Sequence, residues 1–197
     1  MKFVRTMWMP DDDEHFFTFF ASVTDQPIYQ ISSFKTAMKY VKNFDCAVDI
    51  GAHVGFFSTY MAGKFKTVHA FEPEPLNFEC LIENVPENVV CWNHGIAEKD
   101  MLGNMVNPCF YNSGAWEFHE DSLGTARMMG LGALVRPDFI KIDVQGMEAS
   151  ALKGCSEVLE RDKPVLLVEG DKVSKHLEMM GYEMADKCGD DRVWVHK

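Results

Sequence analysis

Apolar residues recur along the chain with two alternating periods. The short runs "FDCAVDI", "KTVHAFE", "PDFIKIDV" and "KPVLLVEG" each carry several apolar side chains within seven or eight residues. Runs of that length, bounded by Gly or Pro, predict strands buried on both faces. Between them the apolar residues fall three and four apart: Val54, Phe57 and Met61; Phe78, Leu81, Ile82 and Val85; Val173, Leu177 and Met180. That spacing predicts amphipathic helices. Pro75 stands in a first helical turn, and Gly154 and Gly181 stand where helices stop. "NVVCWNHGIA" predicts one more strand. The end of the chain predicts a β-hairpin, Tyr182 to Asp186 and Arg192 to His196, turning at Gly189.

Strands alternating with helices predict an α/β fold, a mostly parallel sheet covered on both faces and finished by the antiparallel hairpin. The 197 residues suit one domain. Within it, 46–170 is the expected core, 1–45 an extension or lid, and 98–138 a substrate-side insertion, because long connections tend to be functional. Tyr111, Trp116 and Phe118 in that insertion either stack on a sugar ring or form one side of an extra hairpin. The segment "DDDEHFFTFFASV" either covers the site or packs on the sheet's edge through Phe16, Phe17, Phe19 and Phe20, with its acid run on a solvated face.

Ligands of such sheets bind beyond the carboxyl ends of the strands. Four predicted strands carry an acid there: Asp49, Glu72, Asp143 and Glu169. Any one could cap a helix or pair with a lysine. Four on one rim are costly unless something cationic or hydroxylated lies between them. After the first strand the chain reads "DIGAHVGFFS". Gly51 permits a tight bend and Gly55 a close approach, but His53 and Phe56 stand where the dinucleotide fingerprint needs glycine. A diphosphate beside Asp49 would be repelled. S-adenosylmethionine has no phosphate and carries a sulfonium and an ammonium, so the carboxylate becomes an attraction. Glu72, 23 residues after Asp49, is near the spacing at which an acid takes ribose hydroxyls.

The net charge of −11 argues against duplex nucleic acid as a partner. Six cysteines without a CxxC pair, a polar N-terminus and the lack of a long apolar run predict a reduced, cytoplasmic protein with no membrane span.

Three stretches, "DIGAHVGFFS", "AFEPEPLNFECLIENV" and "DFIKIDVQGMEASALKG", resemble successive signatures of the FkbM-type methyltransferases, with shorter likenesses at "NSG" (112–114) and "LLVEG" (166–170). The resemblance implies a Rossmann-like class I methyltransferase fold with a seven-stranded sheet. It also implies S-adenosylmethionine as cofactor and methylation of a hydroxyl on a sugar, glycan or other small molecule. It makes Asp49, Gly51 and Gly55 contacts for the methionine end of the cofactor and Glu72 the ribose ligand, with Pro73 and Asn77 shaping that side.

A hydroxyl needs a base or a metal close by. Asp143 is the first choice for the base. Lys141, one two-residue repeat before it, either neutralises the carboxylates or is a structural partner. Glu169 and Glu148 are further candidates, and with Asp143 they are oxygen ligands of the kind Mg²⁺ takes. His53 and His94 are alternative bases, although a lone histidine in a strand-end loop more often packs. Methylation of nitrogen on protein or nucleic acid, and a non-catalytic cofactor-binding module, are the competing functions.

Overall fold

The computed structural model describes residues 1–4, 6–16, 18, 29–109, 111–132 and 135–197. Phe17, Phe19, Phe20 and Phe110 lie outside the described residues. The strands are β1 (Lys2–Val4), β2 (Met7–Met9), β3 (Cys46–Ile50), β4 (Thr67–Phe71), β5 (Val89–Trp92), β6 (Gly95–Ile96), β7 (Met101–Val106), β8 (Glu117–Glu120), β9 (Ala126–Met129), β10 (Phe139–Ile142), β11 (Val165–Glu169), β12 (Tyr182–Cys188) and β13 (Asp191–His196). The helices, numbered among the described residues, are α1 (Ile31–Met38), α2 (Phe56–Ala62), α3 (Pro75–Asn84), α4 (Glu148–Gly154), α5 (Ser156–Asp162) and α6 (Ser174–Met179).

Seven strands form the main sheet in the order β12-β13-β11-β10-β3-β4-β5. β13 alone runs against the rest. The terminal hairpin forms as expected, but its second strand inserts beside β11 and leaves β12 at the edge. A hairpin can do this because its return strand offers both of its edges, one to β11 and one to its own partner. This insertion sets Asp191 directly opposite Glu169.

The central strands are apolar on both faces, as parallel strands under two helical layers must be. On one face Val48, Ile50, Ile140, Ile142, Leu166 and Val168 pack with Leu152, Val158, Leu159 and Leu177 from α4, α5 and α6. On the other, Ala47, Val68, Phe139, Leu167 and Val193 meet Phe34, Phe57, Met61 and Leu81 from α1, α2 and α3. The first turn of α3 is built by Pro75 at its start and by the Glu74 carboxylate, which accepts from the Asn77 N–H at 2.6 Å. The apolar stripe of α3 is narrower than its spacing suggests: Leu81 is buried, while Ile82 is 48% exposed.

Gly154 does not stop a helix by turning left-handed. It ends α4 directly before α5, and a Cβ there would lie 2.3 Å from the Ala97 carbonyl oxygen. The bare backbone lets the chain after β6 pass. The predicted strand "NVVCWNHGIA" is in fact two, since β5 pairs in the main sheet while β6 starts a four-stranded sheet of order β6-β9-β7-β8. The insertion supplies three strands of this second sheet, β7, β8 and β9, one more than a hairpin. The ribbon β1–β2 packs beside α3, where Met7, Met9, Phe16, Val54, Phe56 and Cys80 form a third cluster.

Candidate active site

The carboxyl ends of β3, β4, β10 and β11 open into one cavity, roofed by the second sheet and by the turn at residues 12–16. Its walls include Gly51, His53, Glu72, Pro73, Asn77, Lys141, Asp143 and Glu169 from the main sheet's side, and Ser113, Trp116, Phe118 and Met128 from the roof. Phe16, Tyr29 and Phe56 close one flank.

Strand register explains the charged floor. Lys141 on β10 is the direct neighbour of Asp49 on β3, and Glu169 on β11 faces Asp191 on β13. All four side chains share the face beneath α1 and α2. The Lys141 ammonium donates to the Gly51 carbonyl at 2.9 Å and lies 3.4 Å from Asp49 Oδ1 and 3.5 Å from Asp143 Oδ2. It also stands 5.1 Å from the centre of the Phe57 ring. Burial alone would lower its pKa, but Asp143, Asp49 and Asp191 outweigh that and raise it, so it is a fixed cation. Glu169 hydrogen-bonds to Asp143. The charge of Asp143, and then burial, push its pKa to about 8. Near neutral pH Glu169 therefore holds a proton beside the Asp143 carboxylate.

Asp49 and Gly55 are not among the cavity-lining residues. Asp49 is fully buried behind them. Its Oδ2 accepts from Ser58 Oγ at 2.7 Å, and it reaches the cavity through Lys141. Gly55, at φ +99°, turns toward α3, where a Cβ would lie 2.9 Å from Val85 and 3.0 Å from Leu81. Gly51, at φ +78°, does line the cavity, and a Cβ on it would fall 1.9 Å from the Asp143 carbonyl oxygen. Only glycine lets the two strand ends cross there.

Glu72 is 5% exposed, and each of its carboxylate oxygens accepts a backbone N–H: Oε2 from His53 at 2.8 Å and Oε1 from Glu74 at 2.9 Å. Burial lifts its pKa to about 7. Asn77 donates through Nδ2 to the Ser113 carbonyl at 2.9 Å, while its buried Oδ1 has no partner among the described residues. His53, at φ +52°, places its ring against Phe16, with centroids 5.1 Å apart, and its Nε2 2.7 Å from Ser113 Oγ. Burial lowers its pKa to about 4, so the ring is neutral.

Three residues carry the site without having stood out in the sequence. Asp13, one of three consecutive aspartates, is 1% exposed rather than solvated. It accepts from the Phe16 N–H at 2.8 Å and from the Ser113 N–H at 2.7 Å. Ser113 joins Asp13, His53 and Asn77, and "NSG" was its signal. Asp191 enters through the inserted strand, for which the sequence held no signal. His94 lies outside the cavity wall, 5.2 Å from the Phe71 ring centroid. Glu148 turns away as well, accepting from the Gly146 N–H at 2.8 Å. Among the described residues no group of three or more His, Cys, Asp or Glu side chains is placed to hold a metal ion.

Residues 129–190 match the Methyltransferase FkbM domain family, from β9 into the turn of the terminal hairpin. Over these residues the chain is similar to that family. Hexuronic acid methyltransferase AglP of Haloferax volcanii is 27% identical over 125 residues, covering 59% of this chain and 52% of that protein. The crystal structure of Methyltransferase FkbM from Methylobacillus flagellatus superposes with a TM-score of 0.58 at 19% identity, covering 80% of this chain and 45% of that one. Precorrin-6y C5,15-methyltransferase from Geobacter metallireducens superposes with a TM-score of 0.53 at 17% identity over 88% and 91% of the two chains. The fold is thus that of the class I methyltransferases, and the chain spans about half the length of the curated relative it matches. Among the described residues no helix is long and apolar enough to cross a membrane.

Proposed function

We propose that the protein is an S-adenosylmethionine-dependent O-methyltransferase acting on a hydroxyl of a sugar, glycan or other polyhydroxylated small molecule. The observation that carries this reading is that Glu72 and the Lys141–Asp143–Glu169 group line one cavity at the strand ends. The hexuronic acid named for the Haloferax relative supports a carbohydrate acceptor.

The residues present fit this cofactor. A carboxylate offers about four acceptor sites. Backbone N–H groups occupy one on each Glu72 oxygen, which leaves acceptors for two ribose hydroxyls. Gly51 and His53 form the bend against the methionine portion, and Pro73 shapes the ribose side. Gly55 acts at one remove, by letting α2 pack on α3, and Asp49 by fixing Lys141.

When bound, S-adenosylmethionine would supply a methyl carbon for the acceptor oxygen, its sulfur leaving as a neutral thioether with the bonding electrons. Asp143 would take the proton of that acceptor hydroxyl. The charge of Asp143 and burial raise the pKa of Glu169, so Glu169 is the side chain that holds a proton beside the base. Lys141 stabilises that carboxylate. Holding the oxygen in line removes much of the barrier, since positioning supplies roughly 7–11 kcal/mol in favourable cases.

Titration with S-adenosylhomocysteine, followed by turnover against a panel of glycosides, tests the assignment. Asp143→Asn is expected to lower turnover about 10²–10⁴-fold while changing cofactor affinity far less. Equal loss of both would remove Asp143 from the chemistry.

A further inference from the structure

The charge of the cavity restricts which acceptor it can take. Among the described residues that line it, only Lys141 and His53 could carry positive charge. His53 is neutral. The Lys141 ammonium has three N–H bonds, and three neighbours engage it: the Gly51 carbonyl, Asp49 and Asp143. No free cation therefore remains on these walls. Against it stand Glu72, Asp143 and Glu169 in the wall, with Asp49 and Asp191 buried behind. Burial raises the pKa of Glu72, Asp49 and Asp191, and the charge of Asp143 together with burial raises that of Glu169, so protons rather than further cations offset this excess of carboxyl groups. A separate feature points the same way. Asn77 is 2% exposed, and its Oδ1, the one unpartnered buried side-chain atom in this wall among the described residues, is an acceptor without a donor. The opposite wall, with Trp116 and Phe118, is apolar and suits the face of a sugar ring.

We propose that the acceptor is a polyhydroxylated compound bearing an amino group, bound through Glu169 and Asp143, and that carboxylate-bearing acceptors are excluded, so that this chain shares with the Haloferax relative a carbohydrate acceptor but not the hexuronic acid of that protein's name. An ammonium beside this pair satisfies both carboxyl groups, whereas a carboxylate would be desolvated among like charges with no free cation to meet it. This rests on the assignment of the cavity to methyl transfer.

The test uses three probes that differ at one substituent: methyl 2-amino-2-deoxyglucoside, methyl glucoside and methyl glucuronoside. Each is titrated into the full chain saturated with S-adenosylhomocysteine. The amino sugar is expected to bind roughly tenfold tighter than the neutral one, and the uronide at least tenfold weaker, the scale of one charge pair still largely screened by water. Raising the salt concentration should compress the order. Glu169→Gln should shrink the amino preference several-fold while S-adenosylhomocysteine still binds. Equal binding of all three, no binding of the amino sugar, preference for the uronide, or an undiminished amino preference in Glu169→Gln would overturn the proposal. If S-adenosylhomocysteine itself fails to bind, the proposed function fails rather than this refinement of it.

Discussion

The cavity has a floor and a roof made by different physics. The floor is the row of strand ends of the main sheet, where register alone brings Asp49 beside Lys141 and Glu169 beside Asp191. The roof is the second sheet and the N-terminal turn, held to each other and to the floor by a few long-range hydrogen bonds: Asp13 to Ser113, Ser113 to His53 and Asn77, and the Glu14 and His15 N–H groups to the Tyr111 carbonyl. A register-built charged site is rigid, and its weakness is uncompensated charge. A roof pinned by single bonds can be loosened one contact at a time without unfolding the sheet. Substitutions below should therefore damage stability, while those above should damage ligand capture.

The sharpest break is Lys141→Met. It leaves Asp49 and Asp143 without their counter-charge in a buried face, and losing one partner of a buried pair typically costs about 3–5 kcal/mol. Denaturant unfolding should show that loss. A change below about 1 kcal/mol would mean that water or relaxation already neutralises the floor, and the contrast with the roof would vanish.

Glu72 offers a smaller and pH-dependent test at the joint between the two regions, because its Oε2 holds the His53 N–H while the His53 ring bonds to Ser113. Burial raises Glu72 to about 7 from the usual value of 4.5. The native state then binds this proton more tightly than the unfolded chain does. Its contribution favours folding below pH 4.5 and is lost as pH rises to 7, at no more than about 1.4 kcal/mol per pH unit. His53 acts with the opposite sign. With its pKa lowered to about 4 it withdraws stability as pH falls from 6.5 toward 4. Comparing wild type with Glu72→Gln cancels the histidine. The variant should gain stability relative to wild type between pH 5 and pH 7.5, and a pH-independent difference would show that Glu72 is not buried as described.

The floor was largely legible in the sequence because its signals are local. Each acid closes an apolar run, and the Gly51 bend follows the first. What spacing could not separate was the fate of Asp49 and Glu72. Asp49 lies inside β3, opposite Ala70, so the pleat fixes its side chain beneath α2. Glu72 lies one residue past β4 and is free to meet the cavity. Asp191 was hidden for a topological reason, since its role depends on the hairpin inserting beside β11 rather than finishing the sheet. The roof was hardly legible at all. Nothing local distinguishes Asp13 from Asp11 or Asp12, and its partner is 100 residues away.

That illegibility makes Asp13 the finest test of the comparison. Its carboxylate caps the Phe16 N–H and the Ser113 N–H, so Asp13→Ala strands two buried donors while Asp13→Asn keeps one acceptor oxygen. An unpaired buried donor costs roughly 1–3 kcal/mol, but here the turn can relax toward solvent, so the stability loss should sit at the low end, near 1 kcal/mol. The loss should appear instead in ligand capture: a weaker affinity for S-adenosylhomocysteine and a raised acceptor KM, with kcat close to unchanged because Asp143 and Lys141 belong to the floor. Asp13→Asn should recover part of the affinity. If Asp13→Ala lowers kcat as strongly as it raises KM, the roof and floor are one mechanical unit and the division between them is wrong.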